Sequence, residues 1–124
     1  MDDTVFNSDR SFVVFSYAHS HGLLLLRSMK TVELPTRIDI LIQNVRAMEI
    51  RSWFHGVEIV EVSPEFLLGF DSNSIEMVEP GNRVYALNGR GWQGFIVGGI
   101  VTVAEDQGEF TAPSRLLNPG SRPA

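Results

Sequence analysis

The sequence predicts a mainly β domain, either an antiparallel β-sandwich or a partly closed barrel, with one short helix near residues 63–70. Short runs of β-branched and aromatic residues recur along the chain and are separated by Gly, Pro, Asn and Asp turns. Strands and helices do not alternate, which disfavours a parallel sheet. The 124 residues are 44% hydrophobic, which is enough for one core without disulfides.

The N-terminal part of the chain predicts an arm followed by a hairpin. Residues 1–10 are polar, and we expect a flexible arm there. Residues 11–17 carry apolar or aromatic side chains on both faces, as in a central strand. A turn at Gly22 leads into residues 23–27, which we expect to pair with the first strand.

The clearest strand signal begins after Pro35. Ile38, Ile40 and Ile42 recur at period two and therefore share one face of a strand. Arg37 and Asp39 share the opposite face, where we expect an ordinary charge pair on a solvated surface.

The middle of the chain holds two more strand-like runs and the predicted helix. Residues 45–50 and 56–62 are rich in β-branched and other apolar side chains. Ser63, Pro64 and Glu65 then supply a capping residue, a proline suited to the first helical position and an acid beside the positive end of the helix. A helix of about two turns is expected here.

Residues 75–89 contain two predicted turns. Residues 75–78 and 83–87 are expected to be strands joined by a turn over residues 79–82, whose Pro-Gly centre suits a type II turn. Asn88 and Gly89 both tolerate positive φ and therefore predict a hairpin turn.

The last part of the domain is predicted to be a long strand, a short strand and a tail. Residues 92–104 read as a strand that bends at Gly98 and Gly99. Residues 109–112 follow as a last short strand. Residues 113–124 have little apolar content, and we expect a disordered C-terminal tail there. The single β-rich domain is therefore expected to span residues 11–112.

One apparent nucleotide motif lies in a context that does not suit it. Gly89, Gly91 and Gly94 match the spacing G-x-G-x-x-G. A dinucleotide site needs these glycines to open a helix whose N-terminus meets the pyrophosphate. The residues that follow, Phe95 onwards, have the pattern of a strand, so we assign the glycines to a hairpin.

Composition narrows the set of partners. Ten Lys and Arg stand against 15 Asp and Glu, for a formal net charge of -5, and no cluster of adjacent basic residues occurs. Nucleic acid and anionic membrane surfaces are therefore not expected as partners. The longest apolar runs are too short to span a bilayer. The chain has no cysteine, which suits a reducing compartment, and the cytoplasm is the expected location.

Three histidines are the candidate metal ligands. His19 and His21 are two positions apart, so on an extended segment their side chains would point to the same side. His55 would complete a site for a divalent metal such as zinc if its turn lay at the same end of the scaffold. Polar residues at hairpin tips also occur without any function, so the sequence leaves both interpretations open.

Aromatic and basic residues near predicted turns are the candidate binding surface. Trp53, Phe54 and Trp92 could contribute a large contact area, and Arg51 and Arg90 could pair with an acidic group of a ligand. The same aromatic residues could equally close the ends of the core.

The sequence therefore favours a non-catalytic binding or protein-interaction module, which either self-associates as a homo-oligomer or captures a protein partner. No cysteine nucleophile and no Gly-x-Ser-x-Gly motif occurs, and no cofactor is expected. The alternative is a small-molecule or metal-dependent enzyme that uses the histidine cluster at one end of the β-scaffold.

Overall fold

A computed structural model describes residues 3–117, and these form a single antiparallel sheet of eight strands. The predicted mainly β, antiparallel fold is confirmed. The sheet is not closed into a barrel, because the strands at its two ends have one neighbour each. In space the order is β4-β7-β6-β5-β1-β2-β3-β8. The strands are β1 (Asp3–Ala18), β2 (Leu23–Ser28), β3 (Arg37–Ile42), β4 (Ala47–Glu49), β5 (Trp53–Val62), β6 (Arg83–Gly89), β7 (Trp92–Gly98) and β8 (Val101–Asp106).

The sheet curls so that one of its faces, here called the inner face, encloses the main core. Ile40 on β3 and Ile96 on β7 lie near opposite ends of the strand order, yet both are fully buried in the same hydrophobic cluster. Ile38, Ile40 and Ile42 all point inward, as their alternation predicts. Burial of such side chains supplies most of the stabilisation of the domain.

The link between β7 and β8 is hydrogen-bonded to the residue that follows β3. The backbone N–H of Gln43 donates to the carbonyl of Ile100, and the N–H of Gly99 donates to the carbonyl of Gln43 at 2.7 Å. A Cβ atom on Gly99 would lie 3.1 Å from that carbonyl oxygen, so the close approach favours glycine. The expected bend at Gly98 and Gly99 separates β7 from β8 here.

β1 is long enough to serve both halves of the sheet. Residues 3–13 pair with β5, and residues 13–18 pair with β2 in the predicted hairpin. Residues 3–10 are therefore strand, where the sequence predicted a flexible arm. Phe6 explains the difference, because its ring packs against the main core, 5.9 Å from the ring of Phe12.

Residues 63–78, here called the apolar cover, protect the outer face of β6 and β7. They form two 3-10 turns, Pro64–Gly69 and Ser74–Met77. The first is the predicted helical segment. The second replaces a strand predicted at residues 75–78. Leu67 is fully buried, and the ring of Phe70 lies 4.9 Å from that of Phe95.

Residues 107–117, here called the strap, protect the outer face of β2 and β3. Arg27 on β2 and Arg37 on β3 lie beneath it and donate to its backbone carbonyls. Asp39 joins the two arginines and is 1% exposed. The prediction of a solvated pair at Arg37 and Asp39 is therefore wrong, because the strap excludes water from that face.

The C-terminal predictions are also revised. No strand occurs at residues 109–112 among the residues described, since their carbonyls accept from arginine side chains and not from a neighbouring strand. Residues 113–117 belong to the strap, with Ser114 2% exposed. The rest of the predicted tail, residues 118–124, lies outside the described residues.

Two predicted turns can be compared with their observed positions. Residues 79–82 form the expected turn, with an N–H of Asn82 donating to the carbonyl of Glu79 and with Gly81 at φ +89°. The hairpin between β6 and β7 turns at Arg90 and Gly91, two residues after the predicted Asn-Gly pair. Within residues 3–117, no helix is long and apolar enough to cross a membrane.

Candidate functional site

The free side of β8 is the candidate site. Within residues 3–117, β8 pairs with β3 on one side and has no strand on the other. Gln43 donates its N–H to Ile100, which makes these two residues a hydrogen-bonded pair. Because such pairs alternate along an antiparallel ladder, Thr102, Ala104 and Asp106 direct their peptide groups towards β3. The peptide groups of the intervening residues therefore point away from the sheet. These residues are Val101, Val103 and Glu105.

Apolar side chains accompany these outward peptide groups. Val103 lies on the inner face, opposite Ile40. It is nevertheless 40% exposed, because no strand of the described sheet lies beyond β8. Ile100, at the start of the strand, is 62% exposed. An added strand would therefore gain backbone hydrogen bonds and apolar contact together.

The start of β8 borders a small hollow of about 310 Å³. Arg83 lies in its wall and is paired with Glu61 at 3.2 Å. Tyr85 also lines it and donates its hydroxyl to the carbonyl of Gly99 at 2.6 Å. Burial, followed by the charge of Glu61, raises the pKa of this phenol, so Tyr85 remains a hydrogen-bond donor at neutral pH.

The other end of β8 is anchored. Asp106 receives two hydrogen bonds from Arg37, both at 3.0 Å, and one from the N–H of Gly108 at 2.9 Å. Burial by itself would raise the pKa of Asp106, but these hydrogen bonds and the charge of Arg37 outweigh it and lower the pKa. Glu105 accepts a hydrogen bond from Thr36. The strand is thus held in place while one side of it stays free.

The opposite end of the sheet differs. β4, its edge strand, has only three residues, Ala47–Glu49. Short edge strands and charged edge residues are common protections against unwanted pairing. In β8 the charged residues stand at its end, and the four residues from Val101 to Ala104 are uncharged. β8 is therefore the longer and less protected edge.

The three histidines are not brought together. His19 and His21 lie in the turn after β1, whereas His55 pairs with Ser11 further back along the same strand. From Ser11 to Ala18 the strand rises by roughly 20 Å. One metal ion bound by about 2 Å ligand bonds cannot bridge that separation. Among residues 3–117, no group of three His, Cys, Asp or Glu side chains is placed to hold a metal.

His55 has a different local environment. Its Nδ1 is hydrogen-bonded to the hydroxyl of Ser11, and its ring lies 4.5 Å from that of Trp53. Both His55 and Ser11 are exposed on the outer face of the sheet. This pair could not be foreseen, because 44 residues separate its members.

The predicted aromatic surface is divided between the two faces. Phe54 is 2% exposed and stacks against Phe12 in the core. Trp92 packs against Phe54 at 5.1 Å, and the guanidinium of Arg51 lies over its ring at 5.6 Å. These aromatic rings pack together as part of the main core.

The remaining two members of that surface lie apart from this stack. Trp53 is 54% exposed and shares the outer face with His55. The exposed Arg90 lies beside Gly56, with its Nε 3.7 Å from the position a Cβ atom would take there. Binding by Trp53, Trp92, Arg51 or Arg90 stays a prediction.

No protein-family model, no curated protein and no solved structure matches this chain.

Proposed function

We propose that this chain is a non-catalytic protein-interaction module that binds an extended segment of another polypeptide along the free side of β8. The observation that carries the proposal is the row of three outward peptide groups, at Val101, Val103 and Glu105, which have no backbone partner within residues 3–117. Each offers one N–H donor and one carbonyl acceptor, and an added strand is the partner that satisfies both in register.

The scaffold supports such a role. β8 is fixed to β3 by six paired residues and to Arg37 by its last side chain. Because the strand is already extended, the module loses little conformational entropy when a partner adds to it. The strap turns away from the free side, since its carbonyls meet Arg27 and Arg37 on the outer face of the sheet.

The side chains along the β8 edge determine which residues the partner strand should carry. Val103 is the exposed apolar residue in the middle of the row, and Glu105 is the charged residue near its end. A matching strand should place a β-branched or aromatic residue opposite Val103 and avoid an acid opposite Glu105.

The test is a selection from a display library of random twelve-residue peptides. Every binder selected on the wild-type protein is then measured against Val103→Pro, which removes the central outward N–H but no bond to β3. We expect at least a tenfold loss of affinity in calorimetry. Val103→Lys, which places a charge at the centre of the edge, provides a second variant if the proline variant unfolds.

One control variant makes the result decisive. Trp53→Ala, on the outer face, should bind the selected peptides as the wild type does. Peptides that bind Val103→Pro and Val103→Lys as tightly as wild type, or that depend on Trp53, would contradict the proposal.

A further inference from the structure

We infer that a partner of the β8 edge is a second copy of this chain, joined to the first by a two-fold axis through Val103. The inference rests on the proposed use of the β8 edge.

The register follows from which peptide groups point outward. If two copies of β8 run antiparallel with Val103 opposite Val103 of the second copy, Val101 of each lies opposite Glu105 of the other. All three facing pairs then join outward peptide groups to outward peptide groups, so each pair exchanges two hydrogen bonds. A two-fold axis needs such a self-complementary row, and centring it on the middle residue satisfies every donor and acceptor.

Side-chain placement agrees with this register. The two Val103 side chains become cross-strand neighbours on the inner face, where each is now 40% exposed. The carboxylate of Glu105 falls beside Val101 of the second copy. Val101 lines the hollow that also contains the ion pair of Arg83 and Glu61, so the acid meets no isolated carboxylate there.

Charge repulsion at the contact is small in this register. The two Glu105 side chains lie four positions apart along the paired strands, about 13 Å, which exceeds the screening length of about 8 Å at physiological salt. The net charge of -5 on each copy still opposes association over a longer range. Dimer formation should therefore strengthen when salt is added.

The contact is small, and we therefore expect low affinity between the two copies. Six residues from each copy lie well below the 20–30 residues per side of a standard stable interface. We expect a weak, transient dimer and not a stable one.

Disulfide trapping tests the register directly, because the natural chain has no cysteine. Val103→Cys should cross-link to itself under mild oxidation, since the two Cα atoms would be about 5.5 Å apart, within the range for a disulfide. Val101→Cys and Glu105→Cys should each fail to cross-link alone, because their own copies lie beyond about 7 Å. A mixture of these two variants should cross-link to each other.

A surface control separates trapping of a specific contact from random collision. Ile100→Cys carries its thiol at the most exposed apolar position near the edge. We expect Val103→Cys to form disulfide dimers at least tenfold faster at equal concentration. Equal rates, or cross-linking of Val101→Cys alone, would overturn the two-fold register.

The outcomes also separate this inference from the proposed function. If Val103→Cys does not cross-link but selected peptides still bind in a Val103-dependent manner, the second copy is excluded and the edge remains a binding site. If neither occurs, both proposals fall together.

Discussion

The apolar cover and the strap protect the outer face of the same sheet by different chemistry. The apolar cover buries Leu67 and stacks Phe70 on Phe95, so it is held by side-chain packing. The strap is held by two buried arginines that donate to four of its backbone carbonyls. The first depends on the identity of its own side chains, whereas the second depends mainly on residues of the sheet beneath it, with Phe110 adding one ring contact to Phe15.

The ionic network under the strap is fully satisfied. Arg27 makes a bidentate pair with Asp39 at 2.7 and 3.1 Å, and its guanidinium lies 4.0 Å from the centre of the Phe15 ring. No buried side-chain nitrogen or oxygen lacks a hydrogen-bond partner in the part of the chain that the structure describes. Such networks tolerate the loss of one member poorly, because the remaining charges stay buried. The two covers should therefore fail in different ways.

The largest effect is expected at the centre of that network. Asp39→Ala leaves Arg27 buried without its carboxylate, and we expect the free energy of unfolding to fall by about 3–5 kcal/mol. Urea denaturation followed by far-UV circular dichroism measures it. The double variant Arg27→Met with Asp39→Leu should be more stable than Asp39→Ala, because it buries no unpaired charge. A double variant less stable than Asp39→Ala would contradict the role of the orphaned charge.

A smaller loss is expected in the apolar cover. Leu67→Ala removes a fully buried side chain, and unfolding free energy should fall by about 2–4 kcal/mol. Its neighbour Leu68 is 60% exposed, so Leu68→Ala is the matched control and should change stability by less than about 0.5 kcal/mol. Similar losses in the two variants would mean that the apolar cover is not held by packing of Leu67.

Acid should loosen the strap. Since the pKa of Asp106 is lowered on folding, its carboxylate stabilises the folded state above its ordinary pKa of 3.8, and that stabilisation is lost as the pH falls through the lowered value. The amide of Gly108 reports this directly, because it donates to Asp106. Its NMR chemical shift should titrate with a midpoint below 3.8, and Asp106→Asn should abolish that titration. A midpoint above 3.8 would contradict the stabilisation of the folded state by the Asp106 carboxylate.

The smallest effect is expected at the exposed rim of the strap. Lys30 pairs with Glu109 and donates to the carbonyl of Gln107, but the acid is 76% exposed. Lys30→Ala should therefore lower the unfolding free energy by less than about 1 kcal/mol, and 1 M salt should remove most of the difference. A loss that persists in high salt would indicate that Lys30 acts through packing of its alkyl chain, which Lys30→Met would restore.

The sequence predicted the parts of the fold that local rules determine. Alternation placed Ile38, Ile40 and Ile42 on the core face, and the Ser-Pro-Glu start located the helical segment of the apolar cover. The Pro-Gly turn and the bend at Gly98 and Gly99 were also found. In each case the signal lies within a few neighbouring residues.

Long-range contacts decide the features that were missed. Nothing near Arg37 and Asp39 signals that residues 72 to 76 positions beyond Arg37 will cover them. The arginines recognise backbone carbonyls, which leaves no mark in the sequence of the strap, although Phe110 also packs its ring 5.3 Å from that of Phe15. The free side of β8 was equally hidden, because strand order is fixed by pairing between distant segments.

The pairing of β3 with β8 also has a consequence for the order in which the domain is made. Ile42 cannot pair until Val101, which is 59 residues further along the chain, has been synthesised. At about 5–20 residues per second, a ribosome needs roughly 3–12 s to supply it. Throughout that interval β3 presents an unpaired, isoleucine-rich edge, and Asp39 has no strap above it. During that interval the nascent chain is open to misassembly along this edge.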